Sequence, residues 1–168
     1  MNGSVAIGHE AGFNGSTGLN QAVIIGYQAG YSNNNGYNTF IGYHSGRNTT
    51  GQGNVTLGRM AGKTITSGDE NIAIGINAMN GGSVVGDGNI AIGAEAGDAL
   101  TSGTRNVFVG QAAGGGMQGG TDCIAIGYLA LSSATSGYQD SHIAIGSHAL
   151  KSQSGNVYGK NMAIGHGA

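Results

Sequence analysis

The chain has 168 residues, a formal net charge of -2 and only 8% charged side chains, so it offers no basic stripe to track phosphates, and a nucleic-acid partner is not expected. Its 36 glycines do not recur at every third position, which excludes a collagen helix, and a 39% hydrophobic content is too high for a disordered Gly/Ser linker. One cysteine, Cys123, leaves no intrachain disulfide framework; no apolar run is long enough for membrane insertion; and Met1-Asn2-Gly3-Ser4 lacks the regions of a signal peptide.

From the first residues onward one element repeats. An aliphatic residue followed by glycine occurs at Ile7-Gly8, Ile25-Gly26, Ile41-Gly42, Leu57-Gly58, Ile74-Gly75, Ile92-Gly93, Val109-Gly110, Ile126-Gly127, Ile145-Gly146 and Ile164-Gly165. Successive glycines lie 16 to 19 residues apart. The flanks stay in phase: a Val or Ile usually stands two residues before the aliphatic, and a small residue, Ala or Ser, three residues after the glycine. Asn often opens the unit, at Asn38, Asn54, Asn71, Asn89, Asn106 and Asn161, and a polar corner such as Ser67-Gly68 closes it. Such regularity is the mark of a repeat architecture.

Each unit is too short for a strand-helix-strand crossover, and glycine interrupts every helical window. The N-V-A-I-G segment suits a short strand of alternating β-branched residues, and the glycine can take φ > 0 to turn the corner. Stacked units would pair in parallel at about 4.8 Å, giving a rod on the order of 45–50 Å long. The expected fold is all-β, a parallel β-solenoid or β-roll of about ten coils. Residues 1–168 read as a single repeat solenoid domain, a piece of a longer fibre, because neither end carries a capping repeat.

Alternation assigns the residues of each strand to two faces. With the Val and Ile of the motif pointing into the coil, the residue between them points out. That outer row would be Ala6, Ile24, Phe40, Thr56, Ala73, Ala91, Phe108, Ala125, Ala144 and Ala163, apolar except at Thr56. An apolar outer row calls for a partner, so all of these but Thr56 are the predicted subunit interface.

Ser4-Val5-Ala6-Ile7-Gly8, with Asn71-Ile72-Ala73-Ile74-Gly75 and Asn89-Ile90-Ala91-Ile92-Gly93, resembles the head repeats of trimeric autotransporter adhesins of the YadA type. The longer units at Ile25-Gly26-Tyr27-Gln28-Ala29-Gly30 and Ile41-Gly42-Tyr43-His44-Ser45-Gly46 are similar to repeats of phage tail fibres, and the coil is longer than that of the autotransporter heads. The resemblance spans essentially the whole chain. It implies a left-handed β-roll, a homotrimer, and a place on a virion tail fibre or a bacterial cell surface, outside the cell.

Signs of enzymatic chemistry are weak. Gly114 to Gly119 matches G-x-G-x-x-G, as glycine abundance alone predicts, and Gly58 to Thr64 falls one residue short of a phosphate-binding loop. Asp140, Ser141 and His142 are consecutive, and neighbouring strand residues face opposite ways, so they cannot form a triad. No catalytic residue, metal ligand set or cofactor is expected; His9, His44, His148 and His166 sit at turns. Tyr27, Tyr43 and Tyr128, each following the motif glycine, are candidates for glycan contact, with edge packing between coils the competing role. The expected function is that of a structural or adhesive fibre segment attaching to a host surface glycan or protein. Two alternatives are a filament subunit stacking end to end and an ice-binding solenoid with Thr39 and Thr56 aligned. Recognition would come from the irregular corners, Met79 to Asp87, Ala113 to Asp122 and Leu150 to Lys160.

Overall fold

The computed structural model describes residues 3–14, 19–133, 140–152 and 160–168. The part of the Leu150 to Lys160 corner at 153–159 therefore lies outside the described residues. Ten three-residue strands follow in order: β1 (Val5–Ile7), β2 (Val23–Ile25), β3 (Thr39–Ile41), β4 (Val55–Leu57), β5 (Ile72–Ile74), β6 (Ile90–Ile92), β7 (Val107–Val109), β8 (Ile124–Ile126), β9 (Ile143–Ile145) and β10 (Met162–Ile164). They form one sheet in the order β1 to β10, every pair parallel and every centre residue opposite the next centre residue. The molecule is the expected all-β parallel solenoid, without a helix among the described residues. Coils are numbered here by their strands.

The turn segments stack as well as the strands. His44 N–H donates to the Tyr27 carbonyl of the coil below, and Gly46 N–H to the Ala61 carbonyl of the coil above. The backbone thus finds partners in neighbouring coils, as a buried chain requires. The motif glycine makes this stacking possible. All ten have φ between +128° and +136°, and a Cβ on Gly75 would lie 2.5 Å from the Gly93 carbonyl oxygen.

Which way the strands face is the reverse of the sequence expectation. Ile24, Phe40, Ala73, Ala91, Phe108, Ala125 and Ala144 are fully buried inside the single chain. Ala6 and Ala163 continue the same inner row by register but have no further strand stacked over them. The seven buried residues are not available as a subunit interface, whereas Ala6 is exposed and Ala163 half-buried. The motif Val and Ile point outward instead: Leu57 is 44% exposed and Ile92 37%, against 0% for Ala73 and Ala91. The reason is width. A coil of so few residues leaves little depth between the strand and the opposite wall, and the wall already brings Ala29, Ser45, Ala61, Ala78, Ala96, Ala113, Ala130 and Ala149 inward, all fully buried. Two rows of branched side chains would overfill that space, whereas one row of mostly Ala fits. The same reversal separates Thr39 from Thr56: Thr39 pairs with Val55 on the outside, while the buried Thr56 shares a 2.6 Å hydrogen bond with Ser45. The two threonines form no common face.

Larger inner residues are accommodated by volume compensation across the coil. Phe40 and Phe108 fill the place where Gly46 and Gly114, four residues after the motif glycine, carry no side chain. A Cβ on either glycine would lie 2.5 Å from the ring. Conversely, where the strand supplies Ala73 or Ala125, that fourth position holds the buried Met79 or Leu131. A second contribution comes from the corners. Leu19, Ile65, Val84, Leu100 and Met117 are buried there, so the corners are polar only on their outer side.

The Asn that opens most units runs as a buried ladder. Oδ1 of Asn38, Asn54, Asn71, Asn89 and Asn106 accepts the N–H of the equivalent residue in the next coil, at 2.8 to 3.1 Å. Each Nδ2 donates to a corner glycine carbonyl, as Asn71 does to Gly86 at 3.0 Å. Both ends of the amide are thereby satisfied in the interior, where an unmet polar group costs about 1–3 kcal/mol.

Volume compensation makes a direct prediction. Phe108→Ala alone should cost about 3–5 kcal/mol by leaving a cavity. Adding Gly114→Leu, at a position whose equivalent in coil 8 is Leu131 with φ 52°, should recover a large part of that loss. Chemical denaturation of the two variants is the measurement; a double variant no more stable than Phe108→Ala would contradict the compensation.

Candidate functional site

The most extensive surface feature is the outside of the sheet. Each strand presents its first and third residues outward, from Val5 and Ile7 to Met162 and Ile164. Thr39 is the one polar residue in these two rows, and neither row holds a charge. Strands spaced about 4.8 Å apart make this face roughly 43 Å long. With two side-chain rows it reaches the upper end of the ~300–600 Å² of the largest apolar patch on ordinary soluble monomers. An apolar row does lack cover, but it is formed by the first and third residues of each strand rather than by the residue between them. The missing signal was the depth of the coil.

The tyrosines singled out for glycan contact lie beside this face, just past the motif glycine. The ring faces of Tyr27 and Tyr43 are stacked along the solenoid. His9 stacks on Tyr27 at 5.1 Å, and Tyr27 on Tyr43 at 5.4 Å. Tyr43 also stacks on His44 at 4.0 Å. Tyr128 meets His148 edge-on at 5.2 Å. A ring stacked between its neighbours shows its edge to solvent, so Tyr27 is unsuited to a sugar lying flat against it. A second stack runs along the turn, with Phe13 over Tyr31 at 5.6 Å and the Arg47 guanidinium 5.1 Å from the Tyr31 ring centre. A hydrogen-bonded line joins Glu10, Gln28 and Arg47 beside it.

Among the described residues no three His, Cys, Asp or Glu side chains converge in a way that could hold a metal ion. Asp140, Ser141 and His142 do not converge either: the exposed Asp140 carboxylate accepts the Thr121 N–H at 2.9 Å, while His142 is fully buried. No helix is long and apolar enough to cross a membrane among the described residues. Comparison with protein-family models, with curated proteins and with solved structures finds no match to this chain.

His142 and Cys123 occupy the ladder position that Asn holds in earlier coils. Cys123 N–H still donates to Asn106 Oδ1 at 2.9 Å, and burial raises the thiol pKa above its ordinary value. His142 Nδ1 accepts the Asn161 N–H at 3.2 Å, which puts the imidazole proton on Nε2, a buried atom with no partner. Burial lowers the His142 pKa below 6.5, partly opposed by Asp140. His44 is also lowered, by burial and then by Arg47 and Lys63.

A histidine kept neutral by folding gives a definite pH dependence. Above the unfolded pKa of about 6.5 both states are neutral and His142 adds none. As pH falls below that value the unfolded chain takes up a proton that the folded chain resists, so stability is lost. His142→Asn restores the ladder residue and removes this term. Melting temperatures measured from pH 8 to pH 5 should show a nearly constant gap between variant and parent above pH 6.5. The gap should widen in favour of the variant below it; a gap independent of pH would refute the assignment.

Proposed function

We propose that the chain is a non-enzymatic structural and adhesive segment of a fibre, a phage tail fibre or a bacterial surface adhesin, that works as a homotrimer outside the cell and serves attachment to a host surface. The observation that carries this reading is the uncharged double row of aliphatic side chains on the outer face of the sheet. A face of that kind is covered in a stable soluble protein. The solenoid is a single layer, with no second layer of its own among the described residues to cover it, and three copies packing these faces about one axis would bury it. Stacking of identical units supplies length and rigidity, since each coil contacts only its neighbours. The similarity of the repeats to adhesin heads and tail fibres supports the same assignment.

The corrected interface makes a sharp distinction between two substitutions. Light scattering on the parent protein at micromolar concentration should give three times the chain mass. Ile92→Glu, on the outer face, should yield a folded chain of lower association state, because three like charges would be brought together and desolvated. Ala91→Glu, one residue earlier but inside the coil, should instead disrupt folding. A monomeric parent would sink the trimer. Absence of saturable binding by the folded trimer to a panel of candidate host cells would leave a spacer rather than an adhesive segment.

A further inference from the structure

Side chains on the turn side of the solenoid stack in rows, and one coil interrupts two of them. The second position after the motif glycine carries Gln28, His44, Met60, Asn77 and Glu95, then Ala112, then Leu129. The fifth position carries Tyr31, Arg47, Lys63, Asn80 and Asp98, then Gly115, then Ser132 and Lys151. Coil 7 thus lacks a long side chain at both positions, and the next residue, Gly116, is bare as well. The outcome is a groove of about 340 Å³ with Ala112, Gly115 and Gly116 as its floor. Glu95 and Asp98 form one wall, and Leu129, Ser132, Ser133 and Lys151 the other. Removing one tier of side chains from coils spaced about 4.8 Å apart separates the walls by about 9.6 Å at the backbone.

The lining is chemically divided. The exposed Glu95 carboxylate on one side accepts hydrogen bonds, while the Asp98 carboxylate beside it is held by the Asn80 and Gly81 N–H groups; hydroxyls and an ammonium group on the other side donate, and Leu129 with Ala112 supplies an apolar surface. An anion would meet Glu95 and Asp98, and a cation would meet Lys151. A neutral ring bearing hydroxyls on its rim and C–H groups on its faces satisfies both walls, because each hydroxyl both donates and accepts. Binding sites of this type combine a largely preformed cavity with a few polar groups that fix orientation. The Asp98 carboxyl is consistent with a partly enclosed wall. Burial raises its pKa, opposed by the backbone N–H groups of Asn80 and Gly81 and aided by Glu95.

We infer that this groove on coils 6 to 9 is a saccharide-binding site that takes one neutral pyranose unit of a surface glycan. The inference deepens the attachment reading and rests on it only for the source of the sugar. It moves glycan contact from the stacked tyrosines to a place where no ring competes for the space.

The test uses the whole protein with methyl glucopyranoside and the methyl glycoside of N-acetylglucosamine as probes, read by saturation-transfer NMR. Ala112→Met fills the floor with a side chain that the same position already holds in coil 4, where Met60 has φ 58° against 53° at Ala112. Glu95→Gln removes the charge and replaces one of the two acceptor oxygens by an NH2 donor with little change of shape, and melting curves verify that both variants are folded. The parent should show transfer from at least one sugar, with an affinity reduced at least tenfold in Ala112→Met and weakened in Glu95→Gln. No transfer from either sugar in the parent, or transfer unchanged in Ala112→Met, overturns the site. Transfer from free glycine but from neither sugar reassigns the groove to a zwitterion and also overturns it. Cell binding separates the two readings. Adhesion retained by Ala112→Met removes the groove as the receptor contact and leaves attachment standing. Sugar binding without adhesion in the parent upholds the groove and ends the attachment reading.

Discussion

Depth is the constraint on which the rest of this structure depends. A coil of 16 to 19 residues folded around itself leaves an interior only about two small side chains deep. Ala enters from the strand and Ala from the facing turn, and the glycine after each strand keeps adjacent coils close enough for their backbones to bond. Everything larger must be matched by something smaller. Phe40 and Phe108 therefore sit over Gly46 and Gly114, while Met79 and Leu131 occupy the corresponding place above Ala73 and Ala125. The interior behaves as one packed column in which volume is conserved locally rather than at each position.

Once the interior is so shallow, the branched aliphatic residues that favour strand formation have to lie outside. The same residues then do two things. They shape the strand through their β preference, and they create a long uncharged face that a single chain leaves open to solvent. A thin solenoid thereby lacks enough interior to hold all of its apolar residues, and it is this remainder that the proposed trimer would bury. Polar order inside is kept by the Asn ladder, in which each amide meets both of its hydrogen-bonding needs from neighbouring coils. At Cys123 and His142 the ladder residue changes, and the result is one buried imidazole nitrogen without a partner.

Inside the coil, variation has to be compensated in volume or hydrogen bonding, whereas positions that face water vary without that constraint. A long side chain missing from coil 7 at two turn positions costs little stability, since those side chains lie on the surface, yet it opens a groove with opposite hydrogen-bonding character on its two walls. A regular solenoid can open a groove in this way by omission, without altering its core.

The period, the strands, the turn glycine and the absence of helix were all legible in the sequence, because they depend on residue types recurring at fixed local spacing. So was the existence of an uncovered apolar row. The residues forming that row were not legible: strict alternation is symmetric, and either Val and Ile or the residue between them could have faced inward. The buried corner residues Ile65, Leu100 and Met117 were likewise hidden among polar neighbours, and the ring faces of Tyr27 and Tyr43 looked free because their partners are 16 to 18 residues away. The groove depends on Ala112 and Gly115 being compared with the coils above and below. Local chemistry determined the repeat; the depth of the closed coil and the contacts between coils decided which side of each strand, and which turn, meets the outside.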